Sequence, residues 1–134
     1  MPIFLYGTLL PALVRGPIAA AVARLRPLGP ATVPGRLYDL GPYPALVSDP
    51  AGALRVAGEL FQLPADAADL LAELDEYEGT QYRRVATTAA LPDGRSAACW
   101  VYEYAGDVTG ATAIVCGDYR RWVGRTGSDR PDRR

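Results

Sequence analysis

The spacing of apolar and polar residues predicts an amphipathic helix over residues 64–78. At about 3.6 residues per turn, one face of this helix is apolar and is formed by Ala67, Leu70, Leu71 and Leu74. Most acids of the segment lie on the opposite side, where a surface helix carries its charges: Asp66, Asp69, Glu73 and Glu76. Glu78 falls within the apolar face, so its carboxylate is predicted to point inward.

Short apolar runs separated by turn residues predict strands along the rest of the chain. These runs cover residues 2–6, 35–40, 44–48, 54–63, 81–89 and 96–104. A Pro-Asp-Gly turn at residues 92–94 joins the last two runs as a hairpin. The remaining pattern predicts a modest helix over 17–26, a proline-rich break over 27–34 and a last helical turn that ends at residue 123.

Many short strands, two modest helices and regular turns predict an α+β domain. In this domain a strongly curved sheet or small closed mixed β-barrel carries its helices on one side. The 134 residues, 49% of them apolar, fit one domain, which we assign to residues 1–123. Residues 124–134 are rich in Gly, Asp, Pro and Arg, and we expect a flexible C-terminal tail.

Charge and hydropathy indicate a small-molecule partner. The net charge is -1 and the arginines are scattered among acids, so we expect no nucleic-acid partner and no anionic membrane surface. No stretch approaches the ~20 apolar residues of a membrane helix, and the first ten residues carry no basic leader. These features predict a cytoplasmic protein.

The residue inventory excludes several kinds of catalysis. The chain has no histidine, which removes Ser-His and Cys-His dyads and every imidazole metal site. All fourteen basic residues are arginine, so no lysine is present to form a Schiff base. Cys99 and Cys116 are too far apart in sequence for a close metal-ligand pair and are interpreted as buried reduced thiols. We therefore expect no metal site.

Two features carry candidate chemistry. Burial and the negative end of the helix dipole both disfavour the ionised form of Glu78, so we expect a raised pKa, as in a general acid/base. The alternative is a structural ion pair with Arg83 or Arg84.

The second feature is the loop after the first strand, whose backbone amides are suited to bind an anion: Tyr6, Gly7, Thr8 and Leu9. The alternative there is an ordinary strand end.

Several sequence blocks, in this order and spacing, resemble the gamma-glutamylcyclotransferase-like family. The blocks are FLYGTL at 4–9, GRLYDLG at 35–41, YPALV at 43–47, GELF at 58–61, LDEYEG at 74–79 and YRR at 82–84. The combination of YGTL with LDxxEG is more specific than either block alone. The resemblance covers nearly the whole chain and lapses after Tyr104.

The resemblance implies a small β-barrel with flanking helices that releases a gamma-glutamyl group as 5-oxoproline without a cofactor. Glu78 would be the catalytic acid/base. The turn that holds the substrate alpha-carboxylate would comprise Tyr6, Gly7, Thr8 and Leu9. Tyr82 and Arg84 match family positions that look structural, and Tyr102 or Tyr104 is a candidate to orient the substrate.

Other interpretations stay open from the sequence. One is a non-catalytic module that binds a carboxylate metabolite on the same scaffold, with Glu78 in an ion pair. Another is a subunit of a larger complex whose interface uses Trp100, Tyr102 and Tyr104. The leaving group of the reaction and the oligomeric state are not specified by any motif.

Overall fold

The structure, a computed structural model, describes residues 1–49 and 51–126. Within them, five strands close into a barrel in the order β2 (Arg26–Asp39), β4 (Arg55–Gln62), β1 (Ile3–Leu5), β6 (Ser96–Tyr104) and β5 (Tyr82–Ala90). A pair between Thr32 and Ala90 joins β2 to β5 and closes the ring. β1 runs parallel to β6, and the other neighbours are antiparallel. The predicted closed mixed barrel is confirmed.

The other elements surround this barrel. β3 (Pro44–Ser48) and the short β7 (Thr112–Ala113) both pair with the second half of β2. The helices are α1 (Ile18–Val22), α2 (Ala67–Glu78) and α3 (Tyr119–Thr126). α1 and α2 contact each other, and α2 also contacts β5. No helix in the described ranges is both long and apolar enough to cross a membrane.

The alternation of side chains along the strands produces two apolar cores. One fills the barrel and includes Phe4, Val56, Leu60 and Val101. The other lies between the barrel wall and helices α1 and α2, and includes Ile3, Leu5, Phe61, Leu70 and Leu74. Successive residues of a strand point to opposite faces, so β1 contributes to both cores. β1 therefore lies between the two cores.

The start predicted for the strand over residues 35–40 is wrong, because β2 begins at Arg26 and runs through the proline-rich segment 27–34 that follows the helix. Gly35 donates its amide to the Leu54 carbonyl on the β4 side. Successive amides of a strand point to opposite edges, so the nitrogens of Pro34 and Pro30 face away from β4. The missing N–H groups therefore remove no hydrogen bond from the β2–β4 ladder. The early start of β2 also limits α1, which ends at Val22 rather than near residue 26.

The helix predicted over 64–78 is confirmed as α2, with its first turn three residues later. Leu70 and Leu74 are buried, whereas the acids assigned to the outer side are exposed: Asp66, Asp69, Glu73 and Glu76. Gly79 ends the helix with φ 80°, and its amide donates to the Asp75 carbonyl at 3.1 Å. A positive φ favours glycine, so the sequence places the helix end directly after Glu78.

The last helix extends past its predicted end. α3 reaches Thr126 rather than residue 123, and it passes through Gly124. One glycine inside a helix costs only about 1 kcal/mol relative to alanine, which tertiary packing of the helix can offset. The rest of the predicted flexible tail, residues 127–134, lies outside the described residues, and the domain boundary stays a prediction.

Candidate functional site

A cleft of about 270 Å³ lies between the loop after β1 and the C-terminal end of α2. It brings together all five residues that the sequence predicts for the site: Glu78, Tyr6, Gly7, Thr8 and Leu9. The remaining wall is largely apolar and aromatic, from Phe4, Leu5, Tyr43, Pro44, Tyr77, Tyr82 and Tyr102. The cleft thus joins a carboxylate to a backbone turn inside an apolar shell.

The Glu78 carboxylate is held in an environment that favours its protonated form. Burial raises its pKa to about 7, and the nearby negative charge of Asp75 acts in the same direction. Across residues 1–49 and 51–126, no hydrogen bond or ion pair involves this carboxylate. Glu78 can therefore exchange a proton near neutral pH, which is the property required of a general acid/base.

The alternative ion pair of Glu78 with Arg83 or Arg84 is wrong. Arg83 binds Glu103, with its Nη2 3.1 Å from Oε1. Arg84 makes a two-pronged contact with Asp75, through Nε at 2.9 Å and Nη2 at 3.1 Å. The Arg84 guanidinium also lies over the Trp100 ring, 4.4 Å from its centroid. Both arginines near the helix end therefore have other partners.

Sequence reasoning did not single out Asp75, a second carboxylate near the cleft that lowers the tendency of Glu78 to ionise. Its Oδ1 accepts a hydrogen bond of 2.6 Å from the Tyr102 hydroxyl in addition to the Arg84 contact. Burial opposes ionisation of Asp75, but the hydrogen bonds from Arg84 and Tyr102 outweigh burial and hold the pKa of the Asp75 carboxyl below its usual range. Its position three residues before Glu78, on the same side of the helix, was the available signal.

Tyr102 also connects this pair to the loop after β1. The Tyr6 hydroxyl donates to the Tyr102 carbonyl at 2.7 Å and accepts the Leu46 amide at 3.3 Å. Burial is the main cause that raises the pKa of Tyr6 well above its ordinary value, so the hydroxyl stays a donor. Tyr102 therefore contacts both sides of the cleft, through its hydroxyl at α2 and its carbonyl at the start of the loop.

The loop has backbone donors for a ligand. Its Gly7 carbonyl accepts the Leu10 amide at 2.9 Å, which closes the turn. Among the described hydrogen bonds, none uses the amides of Gly7, Thr8 or Leu9 as donors. Successive unpaired amides of this kind form a site for an anion such as a carboxylate. Gly7 is required by packing, because a Cβ there would lie 2.7 Å from Cγ of Pro44.

The tyrosines of the cleft differ in their roles. Tyr82 lines the cleft and donates from its hydroxyl to the Pro44 carbonyl at 2.7 Å, which fixes the wall opposite Gly7. Tyr104 packs edge-on against Tyr82, with ring centroids 5.2 Å apart, and it does not line the cleft. Of the two tyrosines considered for substrate orientation, Tyr102 is therefore the one at the site.

In the part of the chain that the structure describes, no three His, Cys, Asp or Glu side chains are grouped to hold a metal ion. Cys99 is buried and Cys116 is half-buried, and both are free thiols.

We predict that Glu78→Gln stabilises the protein at alkaline pH. In the folded protein the pKa of Glu78 is about 7, above the ordinary 4.5. The contribution of protonated Glu78 to the free energy of unfolding is therefore fully present below pH 4.5 and is lost as the pH rises through 7. The amide cannot ionise. The advantage of the variant in the free energy of unfolding should therefore grow by about 2 to 3 kcal/mol between pH 5 and 8.5. Urea unfolding at both pH values measures it.

The matched control for this prediction is Glu76→Gln, which alters an exposed carboxylate two residues away on the same helix. Like Glu78→Gln, it removes one carboxylate from the C-terminal half of α2, but it leaves the cleft unchanged. If Glu78→Gln behaves like Glu76→Gln, the Glu78 carboxylate is not destabilised by its surroundings.

Solved structures of other proteins share this fold. An Escherichia coli protein, ytfP, is 31% identical with a TM-score of 0.63, and the match covers 89% of this chain and 96% of that one. A mouse aig2-like protein is 22% identical with a TM-score of 0.61, and the match covers 78% of this chain and 76% of the mouse chain. Bacillus subtilis YkqA is 19% identical with a TM-score of 0.73, covering 96% of this chain and 43% of the longer Bacillus one.

The sequence comparisons identify the family. A search of curated proteins finds no match. Residues 3–121, nearly the whole described chain, match the family described as gamma-glutamyl cyclotransferase, AIG2-like. The match includes the loop after β1 and the end of α2, which together form the cleft. The chain therefore belongs to the gamma-glutamyl cyclotransferase, AIG2-like family.

Proposed function

We propose that this protein is a cofactor-independent gamma-glutamylcyclotransferase of the cytoplasm. It would release 5-oxoproline from a small-molecule gamma-glutamyl amine or peptide. The observation that carries the proposal is the unpaired carboxylate of Glu78, with a pKa raised to about 7, in the same cleft as the loop amides of residues 7–9. Free thiols at Cys99 and Cys116 are consistent with a reducing compartment.

The substrate supplies its own nucleophile in this reaction. Its alpha-amino nitrogen attacks its gamma-carbonyl carbon, so one C–N bond forms in a five-membered lactam and the C–N bond to the leaving amine breaks. Glu78 accepts the proton from the attacking nitrogen and returns it to the departing nitrogen. One residue thus acts first as base and then as acid, and no water or external nucleophile is consumed.

The raised pKa of Glu78 lowers the cost of the first proton transfer. A free Glu near 4.3 and an alpha-amine near 7.7 to 8.0 differ by about 3.5 units, or ~5 kcal/mol against transfer. With the pKa of Glu78 at about 7, the difference falls to about one unit, or ~1 kcal/mol. The burial that makes Glu78 costly for folding therefore makes it an effective base.

The loop amides would fix the substrate for cyclisation. We assign the substrate alpha-carboxylate to the amides of Gly7, Thr8 and Leu9, which holds the glutamyl chain folded toward Glu78. Oriented intramolecular attack of this kind can contribute about 7 to 11 kcal/mol. The hydroxyls of Tyr6, Tyr82 and Tyr102 in the cleft already donate to protein acceptors. This favours a backbone amide as the donor to the developing gamma-oxyanion.

The non-catalytic alternative has less support. A binding module with Glu78 as a structural acid requires a cationic partner for that carboxylate, and Arg83 and Arg84 bind Glu103 and Asp75 instead. The interface hypothesis is also disfavoured, because Tyr102 is buried and Trp100 lies beneath Arg84.

Replacing the proposed acid/base should abolish most turnover without unfolding the protein. In Glu78→Gln the side-chain volume is preserved, and we expect 5-oxoproline release to fall by about 10²- to 10⁴-fold. Mass spectrometry of 5-oxoproline from a panel of gamma-glutamyl amines and peptides measures it. Glu76→Gln, on the exposed side of α2, is the control and should keep wild-type turnover; wild-type turnover in Glu78→Gln would remove the catalytic assignment.

Asp75→Asn should move the pH dependence of kcat/KM. Wild-type kcat/KM should rise with pH around 7, because the ionised form of Glu78 is the base. Removing the negative charge of Asp75 lowers the pKa of Glu78, so the rise of kcat/KM should occur at lower pH.

Tyr102→Phe removes a hydrogen bond to Asp75 but keeps the negative charge of Asp75. Its kcat should therefore drop, while the pH at the midpoint of the rise in kcat/KM should equal that of the wild type.

A second control is Asp69→Asn, which alters an exposed acid of the same helix. It should change neither kcat nor the midpoint of the pH dependence of kcat/KM. A lower kcat with an unmoved midpoint in Asp75→Asn would show that Asp75 acts by packing alone.

Gly7→Ala should weaken substrate binding. The added Cβ would lie 2.7 Å from Pro44 Cγ, so the loop or the opposite wall has to move, at a cost of about 1 to 3 kcal/mol. We expect a higher KM for a gamma-glutamyl substrate in a protein that still shows a cooperative thermal transition. Gly124→Ala has no atom within 4 Å of the added Cβ and is the control. An unchanged KM in Gly7→Ala would argue against the loop as the carboxylate site.

A further inference from the structure

The mouth of the cleft is aromatic. Leu9 and Tyr102 on its floor are 4% and 3% exposed, whereas Tyr43 and Tyr77, which also line it, are 37% and 49% exposed. Large aromatic side chains at the edge of a cavity are typical of a surface that binds a ligand. If the glutamyl moiety lies on the floor between the loop and Glu78, the leaving group lies at this edge.

The two exposed tyrosines come from different elements. Tyr77 belongs to α2, and Tyr43 precedes β3. Burial, followed by the neighbouring Glu78 and Tyr43, raises the pKa of Tyr77, so these groups lie close together. Tyr43 also packs edge-on to Tyr82, with centroids 6.2 Å apart. A further aromatic ring in the mouth, supplied by the substrate, would extend this series of aromatic contacts.

The mouth has no charged partner for a ligand. Among the described residues that line the cleft, Glu78 is the one with a charged side chain. The nearby Arg83 is engaged by Glu103, and Arg84 is engaged by Asp75. A carboxylate on the leaving group would therefore lose hydration without gaining a cation, and an ammonium would have no second carboxylate to bind.

We infer that Tyr43 and Tyr77 select an uncharged aromatic or arylalkyl leaving group, so that the substrate is the gamma-glutamyl amide of an arylalkylamine rather than of an amino acid or a diamine. This inference rests on the proposed function and specifies its substrate. The reaction balances without a co-reactant, because the lactam C–N bond replaces the amide C–N bond and the amine leaves with the proton that Glu78 returns.

Four gamma-glutamyl compounds test it as a matched series. The reference is gamma-glutamyl-2-phenylethylamide. Gamma-glutamylphenylalanine adds a carboxylate to it, gamma-glutamylethylamide removes the ring, and the monoamide of 1,5-diaminopentane replaces the ring with an ammonium. Because the ring is buried on binding, kcat/KM for the reference should exceed that of the ethylamide and of the diaminopentane monoamide by at least about tenfold. Gamma-glutamylphenylalanine keeps the ring but has to desolvate a carboxylate that meets no cation among the described residues lining the cleft, so its kcat/KM should also be at least about tenfold lower.

Variants locate the preference at the mouth. Tyr77→Ala and Tyr43→Ala should each reduce the ratio of kcat/KM for the phenylethylamide to that for the ethylamide, and Tyr77→Phe should retain it. Leu54→Ala is the control, because Leu54 is as exposed as Tyr77, at 49%, and does not line the cleft. Its ratio should equal that of the wild type.

The outcomes separate the two proposals. Equal kcat/KM across the series, or a preference for the charged compounds, overturns the aromatic leaving group and leaves the cyclotransferase function intact. A preference for the phenylethylamide that persists in both alanine variants overturns the assignment to Tyr43 and Tyr77. If none of the four compounds yields 5-oxoproline but another member of the wider panel of gamma-glutamyl amines and peptides does, this inference is wrong and the proposed function stands. If no member of the panel yields 5-oxoproline, both are wrong.

Discussion

Arg84 binds Asp75 rather than Glu78, and the chemistry of the cleft depends on that pairing. The two carboxylates lie three residues apart on one helix. Because the guanidinium and the Tyr102 hydroxyl both go to Asp75, that acid stays ionised. Glu78 is left with burial and the repulsion of its neighbour, which together raise its pKa to about 7. One ion pair thus produces two carboxylates with different protonation behaviour.

The barrel places the Glu78 carboxylate and the loop amides of residues 7–9 in the same cleft. β1 lies between the two cores, and the chain leaves the sheet after it and turns into the loop at Gly7. The Tyr6 hydroxyl ties that point to the Tyr102 carbonyl, while the Tyr102 hydroxyl reaches Asp75. The loop amides and the end of α2 are therefore held by one residue of β6. Because strands position both groups, the distance between the loop amides and Glu78 is kept even though the amide donors lie in a loop.

Features set by local periodicity could be predicted from the sequence, and features set by tertiary pairing could not. The 3.6-residue pattern places Glu78 on the buried face, Gly79 marks the helix end, and the hairpin strand at 96–104 is found with its observed bounds. The path of β2 through three prolines depends on which edge each nitrogen faces, and this requires knowing its neighbours. Likewise, the choice of Arg84 between two acids, and the presence of Tyr43 and Tyr77 at the cleft mouth, follow only from the closed barrel.

The central claim is that Glu78 holds a proton near neutral pH because its carboxylate is buried, lies near the negative charge of Asp75 and pairs with no cation among residues 1–49 and 51–126. The most direct test is a ¹³C NMR titration of the Glu78 side-chain carboxyl, assigned by the loss of its signal in Glu78→Gln. The account predicts a midpoint near 7, well above the ordinary 4.5. A midpoint at or below 4.5 would contradict it, because it would mean that the carboxylate is solvated or ion-paired in the folded protein.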